Sequence, residues 1–250
     1  MFLNNQKILF MYDPPHLLKN ICNNFKNNSI YVNGSLCTCD HVKTFCHFDR
    51  KSLVRLAPKL MEKHLTLAAF SKISVKLAAQ VLSHSVAAGM SSLAQLDVLS
   101  AEANQTAQYI ELMDVLFNAF NSGSVKNSGK QMGHAMSEPS GYKDFFLESL
   151  QWLDTVTMPS SHSRPCLARW RIAIHALLGL FEDLHMQQDV QFLLTDRLNK
   201  HCLENFFSCI HGKGRHIHNP SIEQFHVFFH QLLVDTFFSA KSWQQLPKGQ

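Results

Sequence analysis

The chain has 250 residues, of which 46% are hydrophobic and 17% are charged. This composition excludes a disordered chain, and the length allows one or two domains with a sizeable core. The formal net charge of +4 permits a phosphate-bearing partner without requiring one.

The start of the chain lacks the three regions of a signal peptide, and no apolar run reaches the length that spans a bilayer. We therefore expect an intracellular protein that does not enter the membrane. The 7 cysteines are an odd number spread over a long chain. They favour reduced thiols in the cytosol or nucleus over a disulfide framework.

The first predicted element is a buried strand over residues 7–12, which are apolar and aromatic. Asp13, Pro14 and Pro15 end that strand, and apolar side chains at helical spacing predict a helix over residues 16–25. Asp13 then lies between a strand and a helix. It is either the N-cap of the helix or an exposed metal-binding carboxylate.

Residues 27–49 are polar, and Asn33-Gly34 predicts a turn. Cysteine and histidine crowd this segment and suggest zinc, through Cys37, Cys39, His41, Cys46 and His47. Structural zinc sites usually separate paired cysteines by about two to four residues. A single residue separates Cys37 from Cys39, so the spacing argues against zinc.

Helical periodicity dominates from residue 52 onward. Helices are predicted over residues 52–65 (begun or interrupted near Pro58), 73–93 and 106–120, and together they favour a helical bundle. Residues 121–141 are predicted to be a flexible connection or an exposed excursion, and further helices are predicted over 144–156, 164–184 and 222–238. Arg164, Arg169 and Arg171 begin the second of these. They form either a solvated basic edge or a phosphate contact.

A helix is also predicted around Leu203, Phe206, Phe207 and Ile210, whose spacing forms one apolar stripe. Glu204 lies on an adjoining face, and the basic glycine segment 212–215 follows. Such a segment can approach a phosphate backbone, with Lys213 and Arg215 as the cationic contacts. The alternative is a capped surface helix with a solvated loop.

Three motifs, MYDPPHLLKNI, SVKLAAQVLSHSV and LTDRLNKHCLENFFSCIHGKG, together resemble the transposases of P-element type. That family includes the THAP domain-containing transposases of animals. The resemblance implies an α+β fold that is predominantly α, namely the C-terminal part of an RNase H-like domain split by a helical nucleotide-binding insertion. It divides the chain into an RNase H-like segment (1–30), a helical GTP-binding insertion (31–125), a flexible connection with a helix (126–165) and a C-terminal RNase H-like segment (166–240).

The implied activity is cut-and-paste DNA transposition by two Mg²⁺ ions in the nucleus, with transposon ends as the DNA partner and a possible homo-oligomer on that DNA. Asp13 matches the second catalytic aspartate and Glu204 the catalytic glutamate. The first aspartate and the N-terminal zinc module are expected upstream of Met1. The DNA contacts expected from the basic residues are Lys213, Arg215, Arg164 and Arg169.

The residues that resemble the family's nucleotide pocket are Lys76, Ser85, Phe117, Asn118, Asn121 and His201. Asn118 stands where the family pattern favours aspartate, which accepts two hydrogen bonds from guanine. His201 also departs from the pattern. We therefore expect weak or unselective binding of GTP.

Two functional hypotheses follow. The first is that the chain comes from a DNA transposase, and that its acids Asp13 and Glu204 would bind Mg²⁺ if the missing part were supplied. The second is that it is a non-enzymatic relic that binds nucleic acid or nucleotide or pairs with a full-length relative. The resemblance favours descent from the enzyme and predicts that this chain is catalytically incomplete.

Overall fold

The part of the chain that the structure describes folds mainly into helices, accompanied by two small antiparallel sheets. The computed structural model describes residues 2–3, 6–65, 74–126, 129–159, 164–213 and 219–243. The helices within these ranges are α1 (Pro14–Asn27), α2 (Cys39–Lys51), α3 (Glu62–Leu65), α4 (Val75–Val81), α5 (His84–Gln95), α6 (Ala103–Phe120), α7 (Tyr142–Thr155), α8 (Arg164–Gln188), α9 (His201–Lys213) and α10 (Ile222–Trp243). The strands are β1 (Phe2–Leu3), β2 (Gln6–Lys7), β3 (Ile30–Val32), β4 (Ser35–Cys37) and β5 (Val156–Thr157). The predicted α+β class with a predominance of helix is confirmed.

The described residues separate into two compact units. The first unit, Met1–Asn199, contains α1 to α8 and both sheets, and the second, Lys200–Gln250, contains α9 and α10. None of the helices that the structure describes combines the length and apolarity needed to cross a bilayer.

The larger sheet has the order β4-β3-β5 and is antiparallel throughout. Asn33 and Gly34 join β3 to β4 with φ angles of 50° and 79°. Two consecutive positive φ angles are what a tight hairpin turn demands, and Asn-Gly is the residue pair that adopts them most readily. The turn predicted at these two residues is confirmed.

The core of the first unit centres on α6, which packs against α5 and α1. Tyr109, Ile110, Met113 and Leu116 recur at steps of one to three residues on its inner face and are almost fully buried. Their regular spacing is the reason that the helix predicted over residues 106–120 is confirmed. Trp170 of α8 lies against Phe120 and is also buried, so α8 contributes to this core as well.

The strand predicted over residues 7–12 is wrong. Only Lys7 belongs to a strand, and residues 8–13 form no regular element. A strand requires a partner at hydrogen-bonding distance, and within the described ranges β2 pairs with β1 alone, through Lys7 and Gln6. Phe10 is 63% exposed, whereas Tyr12 packs against the core.

The helix predicted over residues 52–65 is also wrong for most of its length, because only Glu62–Leu65 is helical there. The helix in this region is α2, within the segment read from the sequence as polar, and it ends at Lys51. Beyond α2, the carboxylate of Asp49 accepts hydrogen bonds from the backbone amides of Leu56 and Ala57. These two bonds take the place of the backbone hydrogen bonds that a continuing helix would form. Pro58 lacks an amide hydrogen and cannot restore the helical pattern.

The single helix predicted over residues 73–93 is instead two helices, α4 and α5, which meet at Leu82 and Ser83. Ser83 has extended backbone angles and donates its hydroxyl to the carbonyl of Gln80. A serine that satisfies a carbonyl at one helix end and begins the next helix favours such a break. The apolar face predicted for this region is buried, as Ala78 and Val86 show.

The predicted connection 121–141 contacts the core at its described residues. Met136 and Leu193 form an antiparallel bridge with two backbone hydrogen bonds. The hydroxyl of Tyr142 donates to the carbonyl of Met132 at 2.6 Å and is also bonded to that of His134.

Three of the cysteines whose spacing argues against zinc, Cys37, Cys39 and Cys46, are buried thiols in the apolar core. Burial raises the pKa of Cys37 and of Cys39 to about 11, so both stay protonated at neutral pH. His41 instead contacts the hydroxyl of Thr106 at 2.8 Å. These side chains serve packing in the structure.

In the second unit, α9 packs against α10 through aromatic rings. The ring centroids of Phe206 and Phe229 lie 6.0 Å apart, and those of Phe207 and Phe225 lie 6.5 Å apart. Ile210 is fully buried, whereas more than half of the surface of Leu203 is exposed. The stripe predicted on this helix therefore faces α10 at its C-terminal end.

Candidate functional site

The first unit contains a cavity of about 500 Å³ between the segment 57–60, the junction of α4 with α5, and the second half of α6. We call it the α4–α6 cavity. Its volume lies in the usual range for small-molecule sites. The residues that line it are Ala57, Pro58, Lys59, Leu60, Lys76, Ala79, Gln80, Ser83, His84, Ser85, Val86, Asp114, Phe117, Asn118 and Lys130.

The segment 57–60 is held in place by the ion pair of Asp49 with Arg55. The Nε atom of Arg55 donates to Asp49 Oδ2 at 3.0 Å, and the Asp49 side chain is fully buried. The same guanidinium donates to the carbonyls of Ala57, Pro58 and Leu60 at 3.0, 3.1 and 2.6 Å. One arginine thus ties three backbone carbonyls of the cavity wall to a buried carboxylate.

The junction of α4 with α5 supplies a second wall with a cation and hydroxyls. Lys76 is exposed at the start of α4, and Ser85 lies in the first turn of α5. The Oε1 atom of Gln80 is buried, and no hydrogen-bond partner for it lies among the described residues. An unsatisfied buried acceptor costs free energy, so this atom favours a ligand with a hydrogen-bond donor.

The third wall is one face of α6. Asp114, Phe117 and Asn118 follow the i, i+3, i+4 spacing that places side chains together on a helix. Asn118 Nδ2 donates to Asp114 Oδ2 at 2.9 Å. Burial raises the pKa of the Asp114 carboxyl, and the nearby Glu111 adds to that shift.

The lining therefore combines cations, one aromatic ring and hydrogen-bond acceptors. Lys59, Lys76 and Lys130 suit an anionic group such as phosphate. Phe117 offers a flat apolar surface, and Asp114 offers acceptor oxygens. This set of groups suits a ligand that carries both negative charge and an aromatic ring with donors.

Four of the six residues predicted for a nucleotide pocket line this one cavity, namely Lys76, Ser85, Phe117 and Asn118. Asn121 does not line it, and its Oδ1 accepts from Asn199 Nδ2 at 3.0 Å. His201 begins α9, and its side chain lies outside the described residues.

Sequence reasoning missed Lys59, Gln80, Asp114 and Lys130. For Asp114 a signal existed, because it precedes Asn118 by four residues and thus shares a helix face with it. No local pattern marked Lys59 or Lys130, since both lie in irregular segments whose path depends on tertiary contacts.

Asp13, one of the two predicted metal-binding acids, is the N-cap of α1. Its Oδ2 accepts the backbone amide of His16 at 3.2 Å, and the side chain is 6% exposed. The N-cap alternative therefore describes its geometry. Glu204 is exposed in the first turn of α9, in the second unit.

No group of three or more described His, Cys, Asp or Glu side chains within either unit is placed to hold a metal ion.

Two of the four predicted nucleic-acid contacts have described side chains. The Arg169 guanidinium lies 5.4 Å from the ring centroid of Tyr12, a cation–π contact. Lys213, in the last turn of α9, forms an ion pair with Asp235 of α10. Arg215 and the side chain of Arg164 lie outside the described residues.

Comparison with known proteins gives three findings. Residues 15–133, which contain the whole α4–α6 cavity, match the family described as "TNP-like, GTP-binding insertion domain". The chain is 26% identical over 220 residues to the "Transposable element P transposase" of Drosophila melanogaster. The aligned residues cover 88% of this chain and 29% of that protein. It also resembles a chain of the solved "Drosophila P element transposase strand transfer complex" with a TM-score of 0.77 and 23% identity, over 90% of this chain and 51% of that one. The chain thus spans less than a third of the curated relative and about half of the solved chain.

Proposed function

Since the chain is related to the P-element-type transposases, we propose that it is a transposase-derived protein whose α4–α6 cavity binds a guanine nucleotide. The observation that carries this proposal is the convergence of Lys76, Ser85, Phe117 and Asn118 on one cavity. That cavity lies within the residues that match a GTP-binding insertion domain.

The lining offers different chemical groups to the different parts of a nucleotide. Lys59, Lys76 and Lys130 would hold phosphate oxygens, because ammonium groups bind such oxygens by charge-assisted hydrogen bonds. Phe117 would contact the base, since an aromatic side chain favours stacking with a nucleobase. The Asp49–Arg55 pair supports the segment that carries Lys59.

Calorimetric titration of the 250-residue chain with GTP tests the proposal. We expect saturable binding of one nucleotide, and Lys76→Ala should weaken it by about tenfold, the low end for a hydrogen bond to a charged group at an exposed site. Lys143→Ala is the control, because Lys143 is an exposed lysine of α7 that does not line the cavity. Absence of saturable binding, or equal effects of the two variants, would contradict the proposal.

The wider activity is a separate proposal that rests on the relationship alone. Asp13 and Glu204 would descend from two acids of an RNase H-like metal site, with segments 1–30 and 166–240 as parts of that domain and 31–125 as the insertion. DNA at transposon ends, assembly on that DNA and a nuclear location belong to the same proposal. Arg169 remains the described candidate for a DNA contact within the first unit.

We propose further that this chain alone does not cleave DNA, which leaves a binding or interaction role as the alternative function. An assay with Mg²⁺ and supercoiled plasmid should show no nicking. Magnesium-dependent nicking that Asp13→Ala abolishes would overturn this second proposal without affecting the nucleotide site.

A further inference from the structure

Asp114 lies on the α6 wall of the cavity, one turn before Asn118. The expectation of unselective binding rested on two residues: His201, and Asn118, an amide at a position where the family pattern favours a carboxylate. The structure places another carboxylate, that of Asp114, within hydrogen-bonding distance of this amide. The cavity therefore contains an acid on the wall where Asn118 lies.

The hydrogen bond between the two side chains orients the Asp114 carboxylate. Asn118 Nδ2 donates to Oδ2 at 2.9 Å, and no described residue donates a hydrogen bond to Oδ1. Asn118 is itself 7% exposed and belongs to a well-packed helix, so the donor is held in place. Asp114 therefore retains acceptor capacity for a ligand.

The charged groups near Asp114 have opposing effects. Burial, and next the charge of Glu111, raise the pKa of this carboxyl, whereas Asn118, Lys130 and His84 lower it. A carboxylate that has lost part of its hydration gains more from ligand donors than a fully solvated one. Gln80, whose buried Oε1 has no described partner, adds a second acceptor to the same lining.

The two purine bases differ at the edge that such acceptors read. Guanine presents two adjacent donors, N1–H and the N2 amino group, and one carboxylate accepts from both. Adenine presents an acceptor at N1, which a carboxylate repels. A cavity with a carboxylate at the base end thus discriminates between the two, because the wrong base leaves a buried polar group unpaired.

We infer that Asp114 determines base specificity by accepting the N1–H and N2–H groups of guanine, while Asn118 positions its carboxylate. This inference rests on the proposed function, since it assigns a contact within the same nucleotide site. It replaces the sequence-based expectation of unselective binding with selective binding of GTP. Asn118 then acts through Asp114.

The test compares GTP, ATP and xanthosine triphosphate (XTP) on the wild-type chain and on Asp114→Asn. Xanthine carries an oxygen at position 2, which the amide of the variant can donate to, whereas a carboxylate repels it. The wild type should bind GTP at least about tenfold more tightly than ATP or XTP. Asp114→Asn should lose about 10- to 100-fold in affinity for GTP and bind XTP more tightly than GTP.

The control is Asp144→Asn, which makes the same change at an exposed residue of α7 outside the cavity and should keep the wild-type order of affinities. A gain in XTP binding cannot arise from misfolding, so a damaged variant cannot imitate the expected result. If the wild type binds GTP and ATP equally, or if Asp114→Asn leaves the ratio of GTP to XTP affinity unchanged, Asp114 does not select the base. The proposed nucleotide site itself would not be contradicted by either result. If the wild type binds none of the three, both the site and the role of Asp114 are overturned.

Discussion

The buried ion pair beside the cavity gives the prediction with the largest expected effect. Arg55→Ala removes the partner of Asp49, whose side chain is fully buried, together with three hydrogen bonds to backbone carbonyls. Removing one member of a buried pair costs about 3–5 kcal/mol, because the other charge is left uncompensated. Arg55 is 26% exposed, so water offsets part of the loss, and we expect about 3 kcal/mol.

The matched control is Arg50→Ala. Arg50 Nη1 lies 2.6 Å from Glu62 Oε2, but these side chains are 48% and 64% exposed, and such pairs contribute at most about 1 kcal/mol. Urea unfolding should give the difference in the free energy of unfolding, and melting should occur about 6–12 °C lower for Arg55→Ala. Arg55→Ala should also weaken GTP binding, since the segment 57–60 loses its support. Equal stability of the two variants would refute the role given to the pair.

Three further predictions concern stability. Gly89→Ala should destabilise the fold by about 1–3 kcal/mol, because the added Cβ would lie 2.7 Å from Cζ of Phe45. Gly212→Ala should not destabilise it, because the added Cβ would meet nothing within 4 Å. Thermal melting of the two variants checks this difference. Burial lowers the pKa of His64, so the wild type should lose stability as pH falls below the ordinary value of 6.5, and His64→Gln should lose less between pH 7.5 and 5.5 in urea unfolding. Because burial raises the pKa of Asp114, its charged form costs stability above the ordinary value of 3.8, and Asp114→Asn should melt higher at pH 7 but not near pH 3. Equal melting of the wild type and Asp114→Asn at pH 7 would contradict the last of these.

Local pattern was sufficient where the spacing of side chains alone determines the element. The α6 helix was predictable because Tyr109, Ile110, Met113 and Leu116 form a continuous apolar face. Local pattern gave wrong predictions where an element depends on contacts with residues that are distant in the sequence. Residues 8–12 have strand-like composition but pair with no strand among the described residues, and no local property of the sequence reveals this.

The same distinction applies to the cavity. Lys76, Ser85, Phe117 and Asn118 were predictable from resemblance, whereas Lys59 enters the site only because Asp49 and Arg55 bend the chain after α2. Resemblance also directs attention to the aligned position, so Asn118 predicts weak or unselective binding of GTP. The hydrogen bond that joins Asn118 to Asp114 is visible only in three dimensions.

The measurement that tests the nucleotide site most directly is amide hydrogen exchange of the 250-residue chain with and without saturating GTP. Bound nucleotide should slow exchange at residues 57–60, at 76–86 and at 114–118, the three walls of the cavity. Residues 222–235 of α10, which do not line the cavity, should exchange at unchanged rates. Unchanged exchange at all three walls, with slower exchange elsewhere, would contradict the assignment of the α4–α6 cavity as a guanine nucleotide site.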